Sequence, residues 1–169
     1  VVVSTSNVTD ANFGIEQLPT PSVLTAASQA NPGGTVSAPV PATTFGATDP
    51  DGGTVTDIKI TGLPTNATSI TINGILYTSG FPITVPTNAN GEPTQPILVD
   101  PINGAVVVGI PYSAIDNAGK ESPATGLANV PFGTVGISGT VFNDVNGLTD
   151  NTVNGTGLGN PSSTPLYAN

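Results

Sequence analysis

The sequence predicts an all-β protein built around an immunoglobulin-like antiparallel β-sandwich, and three observations support this prediction. Proline (17) and glycine (21) recur every few positions in the 169 residues and interrupt any long helical pattern. Short runs of β-branched residues alternate with polar residues, as half-buried strands do. Clusters of Asn, Asp, Gly and Pro separate these runs at short intervals, which favours a sandwich of antiparallel strands.

Two stretches carry the clearest strand alternation. In residues 55–61, Ile58 and Ile60 lie two positions apart on one face, and Lys59 is expected on the opposite, outward face. The second stretch predicts a longer buried face, formed by Val106, Val108, Ile110, Tyr112 and Ala114. Both stretches therefore read as strands with one face toward a core.

Asn-Gly pairs predict how some of the strands are connected. Residues 68–72 and 75–78 flank Asn73-Gly74, which supplies the two positive-φ positions of a type I′ hairpin turn. The same pattern recurs at residues 97–108, around Asn103-Gly104, and predicts a second hairpin.

The chain divides into three segments. Residues 19–133 have the length of one immunoglobulin-like sandwich. Residues 1–18 read as terminal strands of a preceding module, and residues 134–169 as the opening strand and loop of a following one. Neither end has enough apolar residues for its own core. We expect both ends to extend, to lie against the sandwich, or to pair with a neighbouring chain.

Composition excludes several classes of function. The chain has 11 acidic and 2 basic residues, a formal charge of −9, and no His, Cys, Met or Trp. It therefore offers no thiol nucleophile, no Ser–His pair and no ordinary zinc site. Two cations cannot form a nucleic-acid surface, and no apolar run approaches the roughly 20 residues of a membrane helix. The carboxylates lie in wet turns without a tryptophan to stack a sugar, so we expect no enzyme.

One candidate calcium site lies near the end of the chain. Asp144, Asn146 and Asp150 occupy positions 1, 3 and 7 of a calcium-loop-like spacing. The loop departs from the template, because position 5 is Leu148 and position 12 is Gly155 rather than a closing Glu. The alternative is a solvated turn in which Asp and Asn bond their own backbone.

A second candidate calcium site involves Asp49 and Asp51, and Asp116, Asp57 or Asn117 could approach it from adjacent loops of the sandwich. The alternative is an ordinary β-turn, for which Asp49-Pro50-Asp51-Gly52 is typical. A cation at either site is expected to act at a joint between modules, where it relieves repulsion between carboxylates and sets stiffness.

Several segments resemble bacterial surface repeats. Residues 139–147 resemble the opening of Sdr-type B repeats, which are transthyretin-like sandwiches of bacterial adhesins. Residues 12–17 look like the final strand of such a module. Residues 49–62 and 112–121 resemble parts of immunoglobulin- or cadherin-like surface repeats. The whole chain is similar to repeat regions of giant Bacteroidota cell-surface adhesins, including the SprB-like gliding adhesins.

The resemblance implies an extended structural and adhesive repeat module, exported to the bacterial cell surface and active in adhesion or gliding motility. Its implied partners are neighbouring modules or identical chains, and surface polysaccharide. Two alternatives stay open. One is a carbohydrate-binding module of a secreted enzyme, and the other is a filament subunit assembled by strand addition.

Overall fold

The structure, a computed structural model, describes residues 16–134 and residue 136. Twelve strands and one short 3₁₀ turn account for its regular structure, with no α-helix in that part of the chain. The strands are β1 Thr20–Pro21, β2 Val23–Thr25, β3 Gln29–Ala30, β4 Ala38–Pro39, β5 Ala47–Thr48, β6 Val55–Ile60, β7 Ala67–Ile72, β8 Ile75–Tyr77, β9 Ile83–Pro86, β10 Ile97–Pro101, β11 Val106–Asp116 and β12 Gly126–Gly133. The 3₁₀ turn, Ala42–Thr44, lies between β4 and β5.

Two sheets form the sandwich. One has four strands in the order β4-β10-β7-β8, and the other follows the order β2-β12-β11-β6-β9, with β3 also paired to β12. Nearly all pairings are antiparallel, but β2 and β3 run parallel to β12. A small third sheet joins β1 to β5. The predicted antiparallel β-sandwich is thus confirmed.

The main hydrophobic core lies between the two main sheets, and a small second cluster joins Ala47, Val55 and Ala114. Fully buried residues come from the four-stranded sheet, such as Ile70 and Val99, and from the opposite sheet, such as Ile58 and Ile110. Along β11 the predicted face is confirmed, since Val108, Ile110, Tyr112 and Ala114 are fully buried and Val106 packs against the core. Lys59 lies on the opposite face of β6 from its buried neighbours, as the alternation predicts.

The two Asn-Gly pairs behave differently. Asn73 (φ 49°) and Gly74 (φ 80°) form the predicted hairpin turn between β7 and β8. The second predicted hairpin is wrong, because β10 pairs with β7 and β4 while β11 pairs with β12 and β6. The chain instead crosses from one sheet to the other at Asn103-Gly104.

The crossover has a local physical reason. Asn103 does not adopt a positive φ, so the type I′ turn does not form. Its side chain instead accepts a hydrogen bond from the Gly34 N–H (2.9 Å). The Asn31 side-chain amide donates to the carbonyls of Ile102 and Gly104, both at 2.8 Å. These contacts fix the connection against the loop after β3.

The described chain enters and leaves the sandwich at opposite ends. Because β2 and β3 run parallel to β12, the chain enters beside Gly126 and leaves beyond Gly133. We call these ends the N-terminal pole and the C-terminal pole. With a rise of about 3.3 Å per residue, the eight residues of β12 separate the poles by roughly 25 Å.

Candidate cation site at the N-terminal pole

Two loops meet at the N-terminal pole. Residues 49–54 lead into β6, and residues 117–121 follow β11, which ends at Asp116. The loops are tied together by Asn117, whose Oδ1 accepts from the Thr54 N–H and whose N–H donates to the Thr54 carbonyl, both at 2.9 Å. The fold therefore brings Asp49, Asp51 and Asp116 to one end of the sandwich.

Asp116 closes its own loop. It is 1% exposed, and its Oδ1 accepts from the backbone N–H groups of Ala118 and Lys120, both at 2.8 Å. This is the Asx-type turn chemistry that short polar side chains favour. The other carboxylate oxygen, Oδ2, is buried without a hydrogen-bond partner. Half of this carboxylate is thus free for another ligand.

Asp51 ties the incoming chain to the sandwich. Its Oδ2 accepts from the Gln17 N–H (2.8 Å), and its Oδ1 accepts from the Gly53 N–H (3.2 Å). The Gln17 N–H contributes most to lowering the pKa of Asp51, and the Gly53 N–H contributes next. The neighbouring Asp49 carboxyl also lowers it. An ionised Asp51 therefore holds the segment that precedes β1.

Asp49 is the least satisfied group in the cluster. Both of its carboxylate oxygens are inaccessible to solvent and lack a hydrogen-bond donor. Desolvation raises its pKa, as do the neighbouring Asp51 carboxyl and the charge of Asp116, with the Asp51 backbone opposing them. An unpaired, water-excluded carboxylate is costly unless a proton or a cation satisfies it.

Gly53 makes room for these oxygens. A Cβ on residue 53 would overlap Asp49 Oδ2 and would lie 2.6 Å from Asn117 Oδ1. Any other residue would push these side chains aside, so the glycine leaves a small space lined by a carboxylate oxygen and an amide oxygen. Both are hard oxygen donors of the kind that calcium prefers.

Glu16 adds a further negative charge. Desolvation raises its pKa, and so do the charges of Asp51, Asp116 and Asp49, with Lys120 opposing them. The incoming chain therefore places the Glu16 carboxylate close enough to three aspartates to be repelled by their charges. Relief of this repulsion favours a cation at the pole.

The oxygen donors at the pole are of the kind that a hard cation prefers, but they are few. In the part of the chain that the structure describes, no group of three or more Asp, Glu, His or Cys side chains is arranged to hold a metal ion. A calcium ion here would take oxygens from Asp49, with Asn117 Oδ1, Asp116 Oδ2 or backbone carbonyls as candidates. So few carboxylates imply weak binding.

The sequence identified the three aspartates but missed part of the cluster. Glu16, Gln17 and Gly53 gave no signal in the sequence, because their role depends on loops that meet only in the fold. The other candidate calcium site, at Asp144, Asn146 and Asp150, lies outside the described residues and stays a prediction.

The aromatic side chains form no sugar-binding platform in the described region. Phe45, Tyr112 and Phe132 are buried, and Tyr77 and Phe81 pack against the core. A groove between residues 40–45 and 93–97 is lined by Val40, Ala42, Phe45, Pro93, Thr94, Gln95, Pro96 and Ile97. None of these residues is ionisable, so the groove offers no acid or base to a substrate.

An ion pair on the face of the large sheet gives a pH prediction. Lys59 donates to Glu121 Oε2, and the Ser113 hydroxyl donates to Oε1 (2.6 Å). Lys59 first, then Ser113, lowers the pKa of Glu121. The ionised Glu121 carboxylate therefore stabilises the fold fully above the pKa of an unfolded Glu, about 4.3. This stabilisation is lost as the pH falls through the lower pKa of Glu121 in the folded protein.

We accordingly expect Glu121→Gln to lower the free energy of unfolding by at most about 1 kcal/mol at pH 7, since the Lys59–Glu121 pair is partly exposed. The variant should also lose less stability than the parent between about pH 5 and pH 3. Melting temperatures across this range measure both effects. Lys59→Met is the matched variant and should lose only part of the pH dependence, because Ser113 still holds Glu121. Parallel pH curves for Glu121→Gln and the parent would contradict the prediction.

Comparison with protein-family models, with curated proteins and with solved structures finds no match. Residues 16–134 contain no helix long and apolar enough to cross a membrane.

Proposed function

We propose that this protein is an extended structural and adhesive repeat module of a secreted bacterial cell-surface protein. One observation carries the proposal: the described chain enters and leaves the sandwich at opposite poles. Modules joined through such poles align end to end, and tension on the protein then runs along the strands. The low content of basic residues, 2 in 169, also leaves few trypsin-type cleavage points in an exposed protein.

The strand order suits a load-bearing role. Backbone hydrogen bonds link the incoming chain to β12 along its whole length: Leu127 N–H to Ser22 O (3.1 Å), Ala26 N–H to Asn129 O (2.9 Å) and Asn31 N–H to Gly133 O (2.8 Å). Because β2 and β3 run parallel to β12, pulling the two poles apart loads these bonds in shear. Several bonds must then break together rather than one after another.

Single-molecule force spectroscopy tests this role. The chain is pulled between residues 17 and 134, and in a matched control between residues 17 and 117, which share the N-terminal pole. We expect a clearly higher unfolding force in the pole-to-pole geometry. Equal forces in the two geometries would remove the support for a load-bearing module.

A weakly bound calcium ion at the N-terminal pole belongs to the same proposal. Gln17 is anchored by Asp51, and Asp49 next to it lacks any donor. A cation at Asp49 would therefore order the loops that hold the incoming chain. Its role would be stiffness at a joint rather than chemistry.

Calcium is expected to raise the melting temperature. At a tenfold excess over Kd, binding to the folded state alone contributes roughly 1.4 kcal/mol. The Kd expected for such an extracellular module is about 10⁻⁴–10⁻³ M. Melting curves with calcium and with chelator measure the effect, and Asp49→Asn should abolish it. With chelator, Asp49→Asn should melt above the parent, since it removes an unpartnered carboxylate from a cluster of like charges.

Two controls locate the site. Glu92→Gln removes one negative charge from another loop and should keep the calcium response. Asp144→Asn removes a residue of the other candidate site, so a response lost only in that variant would move the ion there. No calcium response in the parent would leave both loops as solvated turns.

The alternatives receive less support. A carbohydrate-binding module needs exposed aromatic side chains, and those of the described region are buried or pack against the core. A glycan array is the direct test, and binding lost on replacing Tyr77 would favour that alternative. Assembly into filaments by strand addition would use chain segments outside the described residues.

A further inference from the structure

The exposed edge of the four-stranded sheet is its least protected surface. Strand β8 pairs only with β7 and forms the end of the sheet among the described residues. Ile75 is 57% exposed and Leu76 is 62% exposed, both high values for large apolar side chains. Since Ile72 and Ile75 flank the two-residue turn, the backbone N–H and carbonyl of Leu76 point away from β7. They are free to pair with another strand.

Other edges carry features that hinder pairing. Strand β4 has two residues and ends in Pro39, and β9 begins after Pro82 and ends in Pro86. Proline removes a donor and is a common guard of sheet edges. Strand β2 has no proline and is as short as β8, but the chain directly before it is already engaged, because the Ser22 N–H is bonded to Gly46 O (2.9 Å). Strand β8 has neither proline nor charge.

The distribution of charged residues favours a second copy of this chain as the partner of β8. The chain carries −9 overall, yet residues 60–91 contain no charged side chain. A cationic partner would be attracted to the acidic loops rather than to this region. A second copy, in contrast, can approach here with no like-charged side chains of residues 60–91 facing each other. An edge strand is also self-complementary about a twofold axis, which is the commonest symmetry of homodimers.

The hairpin is held in place before any partner arrives. The Asn73 N–H donates to the Pro96 carbonyl (2.9 Å), and the half-buried Tyr77 packs against the core. A preorganised edge pays little ordering entropy on binding. The strand is only three residues long, so its contact is small compared with the roughly 800 Å² per partner of a stable interface.

We propose that β8 pairs with β8 of a second copy in antiparallel orientation and joins the two four-stranded sheets into one. Binding between single chains is weak because the contact is small. In a protein that repeats the module, several such contacts would add by avidity. This inference does not depend on the load-bearing function or on calcium.

Sedimentation velocity of the full chain with chelator, from about 10 μM to about 1 mM, tests the proposal. We expect dimers to grow with concentration and Leu76→Lys to weaken association at least tenfold. Val23→Lys is the matched variant, because Val23 is 66% exposed on the edge strand β2 of the other sheet. It should associate like the parent. A parent that stays monomeric throughout, or association lost in Val23→Lys but kept in Leu76→Lys, would overturn the proposal.

Crosslinking provides a second readout that does not depend on a charge change. The chain contains no cysteine, so Leu76→Cys introduces a single thiol. Under mild oxidation this variant should form disulfide-linked dimers faster than Val23→Cys. Equal rates would also overturn the proposal. Circular dichroism melts of each variant confirm that the sandwich is intact.

Discussion

Replacing Tyr112 by alanine is expected to lower the free energy of unfolding by roughly 3–5 kcal/mol, the cost of removing a buried aromatic ring. Tyr112 is fully buried on β11, and its ring meets Phe45 edge to face at 5.3 Å. Its hydroxyl lies 2.8 Å from the carbonyls of both Ser22 and Gly46, and it accepts from the Gly46 N–H (3.2 Å). One side chain thus joins the core to the chain entering at the N-terminal pole.

Two further variants separate the contributions of the ring and the hydroxyl. Tyr112→Phe keeps the ring and should cost only about 1–2 kcal/mol, because Ser22 O and Gly46 O each keep one backbone donor. Tyr77→Ala removes a half-buried tyrosine on the edge strand and should cost less than Tyr112→Ala. Urea unfolding measures all three. A cost below about 2 kcal/mol for Tyr112→Ala would show that the ring does not anchor the core.

The sequence predicts local structure well where one strand and its turn decide it. The alternation in residues 55–61 and the turn at Asn73-Gly74 depend on neighbours in the chain, and both are confirmed. The hairpin predicted at Asn103-Gly104 was wrong because this segment forms hydrogen bonds with Asn31 and Gly34, which lie about 70 positions away in the chain. Such contacts are not visible in a local pattern.

The candidate site shows the same limit. Three aspartates in turn-like contexts indicated an acidic cluster, and the fold brings them to one pole. Sequence could not show that Asp116 Oδ1 is used by its own loop, or that Asp49 has no donor. It also could not show that Gly53 is needed for space rather than for a turn. These properties arise only when the two loops meet.

Gly126 is a second position where space rather than backbone conformation requires glycine, and we expect Gly126→Ala to cost about 3 kcal/mol. A Cβ there would lie 2.7 Å from the Ser22 carbonyl oxygen, 2.7 Å from Tyr112 Cζ and 2.8 Å from Pro21 Cβ. A backbone oxygen and a proline ring in β1 cannot rotate away as a flexible side chain would. The incoming chain or the Tyr112 ring must therefore move.

Gly133→Ala is the matched control, because it lies on the same strand and its Cβ would meet only ordinary contacts at 3.9 Å. Its stability should stay within about 0.5 kcal/mol of the parent. Hydrogen exchange locates the damage: Gly126→Ala should reduce protection at Leu127 and Ala26, which bond β12 to the incoming chain. Protection at Ile58 and Val85, in the opposite half of the sheet, should fall less. If Gly126→Ala and Gly133→Ala unfold at the same urea concentration, the close approach of the incoming chain to Gly126 is not a constraint on the fold.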